Sequence, residues 1–405
     1  MKKIELLAPA GNLEKLKTAI HYGADAVYLG LSDLSLRAKA DNFEQDVLKE
    51  AVDFAREHNA KSYITINIFP HNRDIGIIKE HISVLNDINP DAVIVSDIGV
   101  LELLRRNAES IPLHISTQAN ITNYESARFW ERNGANRLIL ARELNINEIR
   151  EIRDKVNVEL ECFVHGAVCI SYSGRCYMSA FLANRSGNSG ECANSCRWNY
   201  TLMEEKRPGE YFPVYENDRG TYIMSSRDLC MIEHLDKLRD AGIDSFKLEG
   251  RTKGINYIAG VVKTYREAVE RLAEDGDYKV EQRWLDELNM FSSRGYTTGM
   301  YLGHQDAKDY NHDEEDIYRM SHALVGIVQS RNGTKARVLM RNRLFTGEEV
   351  EFLTTGLEGR TFKIESIEDE DHMSLESTRN DEIVWLPVPE EVRAGDLIRK
   401  RIRED

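Results

Sequence analysis

Short apolar runs rich in β-branched and aromatic residues recur through the first 250 residues, and stretches with apolar side chains at helical spacing separate them. The strand-like runs are Ile4–Ala8, Ala26–Gly30, Ser62–Asn67, Ala92–Ser96, Leu113–Gln118, Arg137–Leu140, Glu159–His165 and Ser245–Glu249. The helical stretches run from Asn12 to Tyr22, Glu44 to His58, Arg73 to Asn86, Ile98 to Arg106, Asn123 to Arg132, Asn145 to Lys155, Met231 to Ala241 and Asn256 to Glu274. Eight strands alternating with helices predict an α/β fold, a closed parallel (β/α)8 barrel of the TIM type. An internal echo supports it: Gly23-Ala24-Asp25-Ala26, Asn89-Pro90-Asp91-Ala92, Gly134-Ala135-Asn136-Arg137 and Gly242-Ile243-Asp244-Ser245 each end a helix and open a strand. Gly or Asn at the first position suits the left-handed stop of a helix.

One connection breaks the rhythm. About sixty-five residues separate His165 from Met231, where a βα loop ordinarily needs roughly 2–6. The pattern changes again after Asp275. The predicted organisation is a barrel over 1–275 with an insertion over 166–230, then a helix, a Gly-rich hairpin (Phe291 to Gly299) and an acidic linker over 276–320. Short alternating strands at Leu324–Gln329, Lys335–Leu339, Glu349–Leu353, Thr361–Glu368 and Asp396–Arg401 predict a small C-terminal all-β barrel over 321–405.

Strand alternation predicts which side chains face the barrel axis. Glu161, Phe163 and His165 on the seventh strand point inward, as do Lys247 and Glu249 on the eighth, Thr65 and Asn67 on the third, and His114, Ser116 and Gln118 on the fifth. A barrel built only for stability would fill its centre with aliphatic layers, because an unpaired buried charge costs several kcal/mol. The polar lumen therefore reads as an active site at the C-terminal rim; the bland alternative is that Lys247, Glu161 and Glu249 form a paired structural layer.

The insertion supplies the second chemical signal. Cys169, Cys176, Cys192 and Cys196 fall within 28 residues of a chain with six cysteines, separated by six, fifteen and three residues. Clustered thiols in a reducing compartment are more often ligands or catalysts than disulfides. Thiolates are soft donors that suit Zn2+ or an iron–sulfur cluster. Only Cys192 and Cys196 have the short spacing of a zinc knuckle, and the spacing leaves zinc and iron–sulfur both open. Cys162 and Cys230 sit among apolar neighbours and read as packing residues.

With 53 basic against 68 acidic side chains the net charge is −15, which excludes polyanion binding through the whole surface. Nucleic acid would need a local patch. Arg175, Arg185, Arg197, Lys206 and Arg207 cluster in the insertion with Tyr177, Trp198 and Tyr200 interleaved, a pattern that also fits a plain solvated face. Arg399-Lys400-Arg401-Ile402-Arg403 is a second candidate. The chain shows neither a secretory apolar region at its start nor a membrane-length apolar run, and reads as cytoplasmic with no membrane partner. It has no His-Glu-x-x-His helix and no Gly-x-Ser-x-Gly elbow, so a peptidase would need a cysteine near His165, such as Cys169.

The stretch Glu161-Cys-Phe-Val-His-Gly-Ala-Val-Cys169-Ile-Ser-Tyr-Ser-Gly174-Arg-Cys176-Tyr-Met-Ser179 resembles the signature of the collagenase-like peptidases of unclassified catalytic type, the U thirty-two family. Leu7-Ala-Pro-Ala-Gly11, Gly23-Ala-Asp-Ala-Val-Tyr-Leu-Gly30, Leu36-Arg-Ala38 with Asn42-Phe43, Cys192-Ala-Asn-Ser-Cys196-Arg-Trp198 and Lys247-Leu-Glu-Gly-Arg251 extend the resemblance over nearly the whole chain. It implies an oxygen-independent RNA hydroxylase, nearest to the branch that 5-hydroxylates the wobble uridine of tRNA using prephenate. It further implies a 4Fe-4S cluster on Cys169, Cys176, Cys192 and Cys196, with Cys230 as a substitute ligand in the pattern of some relatives. Lys247 and Arg251 would neutralise an anionic co-substrate, Glu249 or His165 would handle protons, Glu161 is a further catalytic candidate, and Arg175, Arg197 and Trp198 would contact the RNA. A paralogous family member or a redox partner is a further implied associate. Two other functions stay open: the peptidase of the family name, and a non-catalytic module whose metal only shapes the insertion.

Overall fold

The computed structural model describes residues 3–31, 43–169, 171–197, 202–203, 211–212, 215–217, 220–222, 227–274, 278–291, 295–303, 321–356 and 360–402. Seven parallel strands follow in order: β1 (Glu5–Ala10), β2 (Ala26–Gly30), β3 (Lys61–Ile66), β4 (Ala92–Val95), β5 (Leu113–Ile115), β6 (Arg137–Ile139) and β7 (Glu159–Gly166). An eighth strand, Ser245–Leu248, pairs in parallel with both β7 and β1 and closes the barrel. Helices α1 (Leu13–His21), α2 (Gln45–Glu57), α3 (Ile75–Ile88), α4 (Ile98–Asn107), α5 (Tyr124–Arg132) and α6 (Ile146–Arg153) pack outside it. The insertion holds α7 (Met178–Ala183), and α8 (Leu235–Asp240), α9 (Ile255–Glu274) and α10 (Gln282–Asn289) follow.

The echo in the sequence has a physical cause. Gly23, Gly134 and Gly242 adopt φ of +99°, +90° and +89°, and Asn89 adopts +51°, so each helix ends in a left-handed residue. Two residues later an Asp or Asn bonds a strand already in the sheet. The side chains of Asp25, Asp91, Asn136 and Asp244 accept the backbone N–H of Leu6, Ser62, Leu113 and Leu160 at 2.8–2.9 Å. The same motif therefore stops the helix and fixes the register of the next strand. At the opposite rim Asn12, Asp97, Asn123 and Asn145 cap helices α1, α4, α5 and α6.

The strand Asp228–Cys230 runs antiparallel to the end of β7 and pairs in parallel with Tyr296–Thr297. Residues 292–294 of the expected hairpin lie outside the described residues, and Tyr296–Thr297 forms a strand on the barrel rim. The acidic linker lies outside the described residues. Beyond it, eight antiparallel strands over 322–401 form a half-barrel with its own core around Val325, Val338, Phe352, Val384 and Ile398. Leu353 and Leu397 bury into the main barrel's core instead. The Tyr22 hydroxyl seals this junction, donating to Leu353 O and accepting from Leu397 N. Among the described residues no helix is long and apolar enough to cross a membrane.

Candidate active site

The barrel lumen is built in two polar tiers. In the lower one Arg137, 2% exposed, donates to Glu5, Glu159 and Glu161 at 3.2, 2.7 and 3.0 Å. Glu5 also accepts from Tyr63 at 2.7 Å and Ser245 at 3.0 Å. Glu161, fully buried, accepts from Lys247 Nζ at 2.8 Å. Burial pushes the Lys247 ammonium below its usual range, against the opposing pull of Glu161. Lys247 also lies 4.4 Å from the Tyr28 ring centre. Glu161 is thus paired with both Arg137 and Lys247, and it does not line the cavity above. Arg137, the residue that balances the tier, went unnoticed in the pattern because it opens a strand.

The upper tier is a cavity of about 230 Å³ at the C-terminal ends of the strands. Lys247, Glu249, Thr65, Asn67, Ser116 and Gln118 line it, as strand alternation predicts, and Arg251 lines it beside them. The Tyr28 hydroxyl donates to Glu249 at 3.2 Å, and Arg251, 4% exposed, donates to Thr65 at 3.2 Å. Arg142 and Glu143, which follow β6, line it as well. The Arg142 guanidinium stacks 4.0 Å from the Phe163 ring centre, and its buried Nε has no partner among the described residues. Their signal was available: they are the first charged pair after an apolar strand, at the rim where this fold places its chemistry.

His165 is not where alternation puts it. The pairing of β7 with the eighth strand slips by one residue, from Phe163 opposite Lys247 to His165 opposite Leu248. That bulge turns His165 to the helix-facing side with Leu248. There it sits 1% exposed among Tyr257, Tyr265 and Tyr296, with Nδ1 3.3 Å from the Tyr265 hydroxyl. Burial pushes its pKa down to about 4. A β-bulge cannot be read from apolar alternation alone, which is why the inward assignment failed.

Cys169, Cys176, Cys192 and Cys196 all line the same cavity as Lys247 and Arg251. Asn194 N–H donates to Cys192 Sγ at 3.4 Å. Among the described residues no three His, Cys, Asp or Glu side chains close into a metal-holding group, so the thiols share the cavity wall without meeting at a point. Four soft donors facing one cavity fit a thiolate-ligated group in their chemistry. Cys230 is not among the residues that line the cavity. Its thiol lies 3.6 Å from the Tyr265 hydroxyl, and burial pushes it up to about 11. Cys162, fully buried, is pushed up to about 12.

Two loops hold the thiols against the barrel. Glu143 accepts from Ser173 N at 2.7 Å and from its hydroxyl at 3.1 Å, which pins the Tyr172–Arg175 turn just before Cys176. Gly174, at φ +71°, lies so close that an added Cβ would meet Gln118 O at 2.3 Å. Asn188 O accepts from Phe69 N at 3.1 Å and ties down the approach to Cys192.

Of the expected RNA contacts, Arg175 is exposed on the first of these loops. Trp198, Tyr200, Lys206, Arg207 and the side chain of Arg197 lie outside the described residues, as do 36–38, Asn42 and Arg403. Two cations of the basic C-terminal run are already paired. Arg399 is fully buried between Glu287 at 2.7 Å and Glu351 at 2.8 Å, and Lys400 pairs with Glu348 at 3.0 Å. These cations join the half-barrel together and fasten it to α10.

Comparison with known proteins agrees with this architecture. Residues 11–311 match the model of Peptidase family U32, and residues 320–399 match the Peptidase family U32 C-terminal domain. The chain is 38% identical over 403 residues to tRNA hydroxylation protein P1 of Bacillus subtilis (strain 168), covering 98% of this chain and 95% of that protein. It is 34% identical over 450 aligned residues to tRNA hydroxylation protein P of Escherichia coli (strain K12), covering 99% and 97%. It is also 34% identical over 413 residues to the Collagenase of Porphyromonas gingivalis (strain ATCC BAA-308 / W83), covering 97% of each. With both models matched in order along one barrel and one half-barrel, the chain belongs to Peptidase family U32.

Proposed function

We propose that the chain is an iron–sulfur-dependent, oxygen-independent RNA hydroxylase that converts the wobble uridine of tRNA to its 5-hydroxy form, with prephenate as co-substrate. The observation that carries this reading is the shared cavity: four thiols, Lys247, Arg251 and Glu249 face one space at the catalytic end of the barrel. The names of the Bacillus and Escherichia relatives support tRNA as the substrate class.

Cys169, Cys176, Cys192 and Cys196 would hold a 4Fe-4S cluster, which when bound supplies one-electron chemistry or a Lewis-acid site. The protein's own residues do the rest. Lys247 and Arg251, with Arg142 beside them, offer charge-assisted donors to the carboxylates of an anionic co-substrate. Glu249, oriented by the Tyr28 hydroxyl it accepts from, would take or deliver the proton at its carboxyl. The target base would enter the cavity unstacked, since uridine C5 cannot be reached in a stacked strand.

The test is anaerobic purification with iron, sulfide and zinc analysis, paired with mass spectrometry of tRNA nucleosides from cells lacking the gene. Iron and sulfide in equal amounts, with loss of 5-hydroxyuridine derivatives from the deletion strain, is the expected result. Stoichiometric zinc would replace the cluster with a zinc site, and unchanged tRNA would end the hydroxylase reading. The Collagenase relative motivates a second reading as a peptidase. Against it, His165 is packed behind β7 and does not line the cavity that Cys169 faces, so the two form no nucleophile–base pair. Gelatin degradation by cluster-free protein at an enzyme-like rate would restore it.

A further inference from the structure

Among the described residues, the insertion exposes three large rings beside the cavity. Tyr172, Tyr177 and Phe181 are 61%, 73% and 78% exposed, in a molecule whose other aromatic side chains are mostly buried. They are not scattered. Phe181 N donates to Tyr177 O at 3.0 Å, which places the two rings one turn apart on the same face of α7. Tyr172 lines the cavity itself, and Arg175 N donates to its carbonyl at 3.0 Å.

Rings that only hung in solvent would need no fixed support. Here the support is rigid: Glu143 grips Ser173, Gly174 is pressed on Gln118, and Ser179 in α7 accepts from Ala193 N at 2.9 Å. Two arginines lie near the rings in the chain, although the chain carries −15 overall. Arg175 is exposed and Arg185 half-buried, and neither forms an ion pair among the described residues. Flat apolar faces flanked by cations match a single-stranded polynucleotide, whose bases stack while its phosphates meet the arginines.

We infer that Tyr172, Tyr177 and Phe181 form a stacking platform for the unpaired nucleotides that flank the target base, with Arg175 on the adjoining phosphate. The inference rests on the RNA reading above and adds to it where the flanking strand lies: over α7, at the lip of the cavity. The platform carries no sequence code, because every base offers a π-face. Selection of a target would then come from loop shape and from the cavity.

The test uses the full chain and a labelled tRNA anticodon stem-loop, with the same strand annealed to its full complement as a duplex control. Anisotropy titrations over a range of potassium chloride give affinity and salt slope. Tyr177→Ala/Phe181→Ala should weaken stem-loop binding by roughly tenfold or more, with an unchanged salt slope and unchanged duplex binding. Arg175→Gln should instead flatten the slope by roughly 0.7. Tyr177→Phe/Phe181→Tyr should bind as the parent does, which separates stacking from a folding defect.

Equal stem-loop affinity in the alanine pair, or equal weakening for duplex and stem-loop, overturns the platform while leaving the RNA reading in place. If the alanine pair instead abolishes self-association or a protein complex and RNA affinity is intact, the face is a protein interface and the platform is overturned. Failure of the parent chain to bind the stem-loop at all removes the RNA reading itself.

Discussion

Replacing Arg137 with methionine removes the one cation that three carboxylates share at the base of the lumen. Glu159 is 42% exposed and loses little. Glu161 is fully buried and Glu5 is 11% exposed, and these two set the cost. Breaking a buried pair by removing one partner costs about 3–5 kcal/mol. Glu161 keeps Lys247, and Glu5 keeps Tyr63 and Ser245, so the lower end, about 3 kcal/mol, is expected. For a domain of this size that lowers the apparent melting temperature by roughly 6–12 °C. Because Arg137 and Glu161 are in direct contact, Arg137→Met/Glu161→Gln should be more stable than the sum of the single changes by about 1–2 kcal/mol. The assay is thermal unfolding of all four proteins by circular dichroism. Burial alone would raise the Glu5 carboxyl, but its bonds to Arg137 and Tyr63 outweigh this and hold it below the usual range. A depressed folded pKa stabilises above the unfolded value of about 4.3 and stops doing so as pH falls through the folded one. The gap between parent and Arg137→Met should therefore narrow below about pH 4. A melting shift under about 2 °C, or additivity within about 0.5 kcal/mol, would refute the claim that Arg137 balances this tier.

Three further outcomes are expected. His165, held neutral with a pKa of about 4, lets the unfolded chain take the proton first as pH falls below about 6.5, so folding stability drops by about 3 kcal/mol between pH 7 and pH 4. Denaturant titrations should show that His165→Gln lacks this component, and parallel pH curves would sink the assignment. Gly174→Ala forces a Cβ onto Gln118 O at a left-handed backbone position; it should displace the Tyr172–Arg175 turn and reduce iron content after reconstitution, and full iron loading would show the contact to be slack. Lys247→Gln leaves Glu161 bonded to Arg137, so the melting temperature should fall by no more than a few degrees while tRNA modification is lost; retained modification would remove Lys247 from the reaction.

The legible part of this protein is its repeated part. Each Gly or Asn stop is a local device that ends its helix, and the Asp or Asn two residues on marks where the next strand begins, although the strand it bonds lies 19 to 84 residues away. Inward polar residues on β3, β5 and the eighth strand were legible for the same reason, since a regular strand alternates. His165 was not, because the bulge that turns it depends on pairing with a strand eighty residues away in the chain. The basic tail misled in the same way: Arg399 is cationic in sequence, but Glu287 and Glu351, which neutralise it, are brought near only by folding.

Composition and order along the chain were thus enough for the barrel, the oversized seventh connection and the set of four thiols, all of which are encoded by residues close together in sequence. Tertiary structure alone decided which polar residues share a cavity, that Glu161 belongs to a buried ion cluster, that Arg142 joins Lys247 and Arg251, and that exposed rings stand at the cavity's lip. Burial and pairing are properties of neighbours in space, and the chain closes those distances only when the eighth strand meets the first.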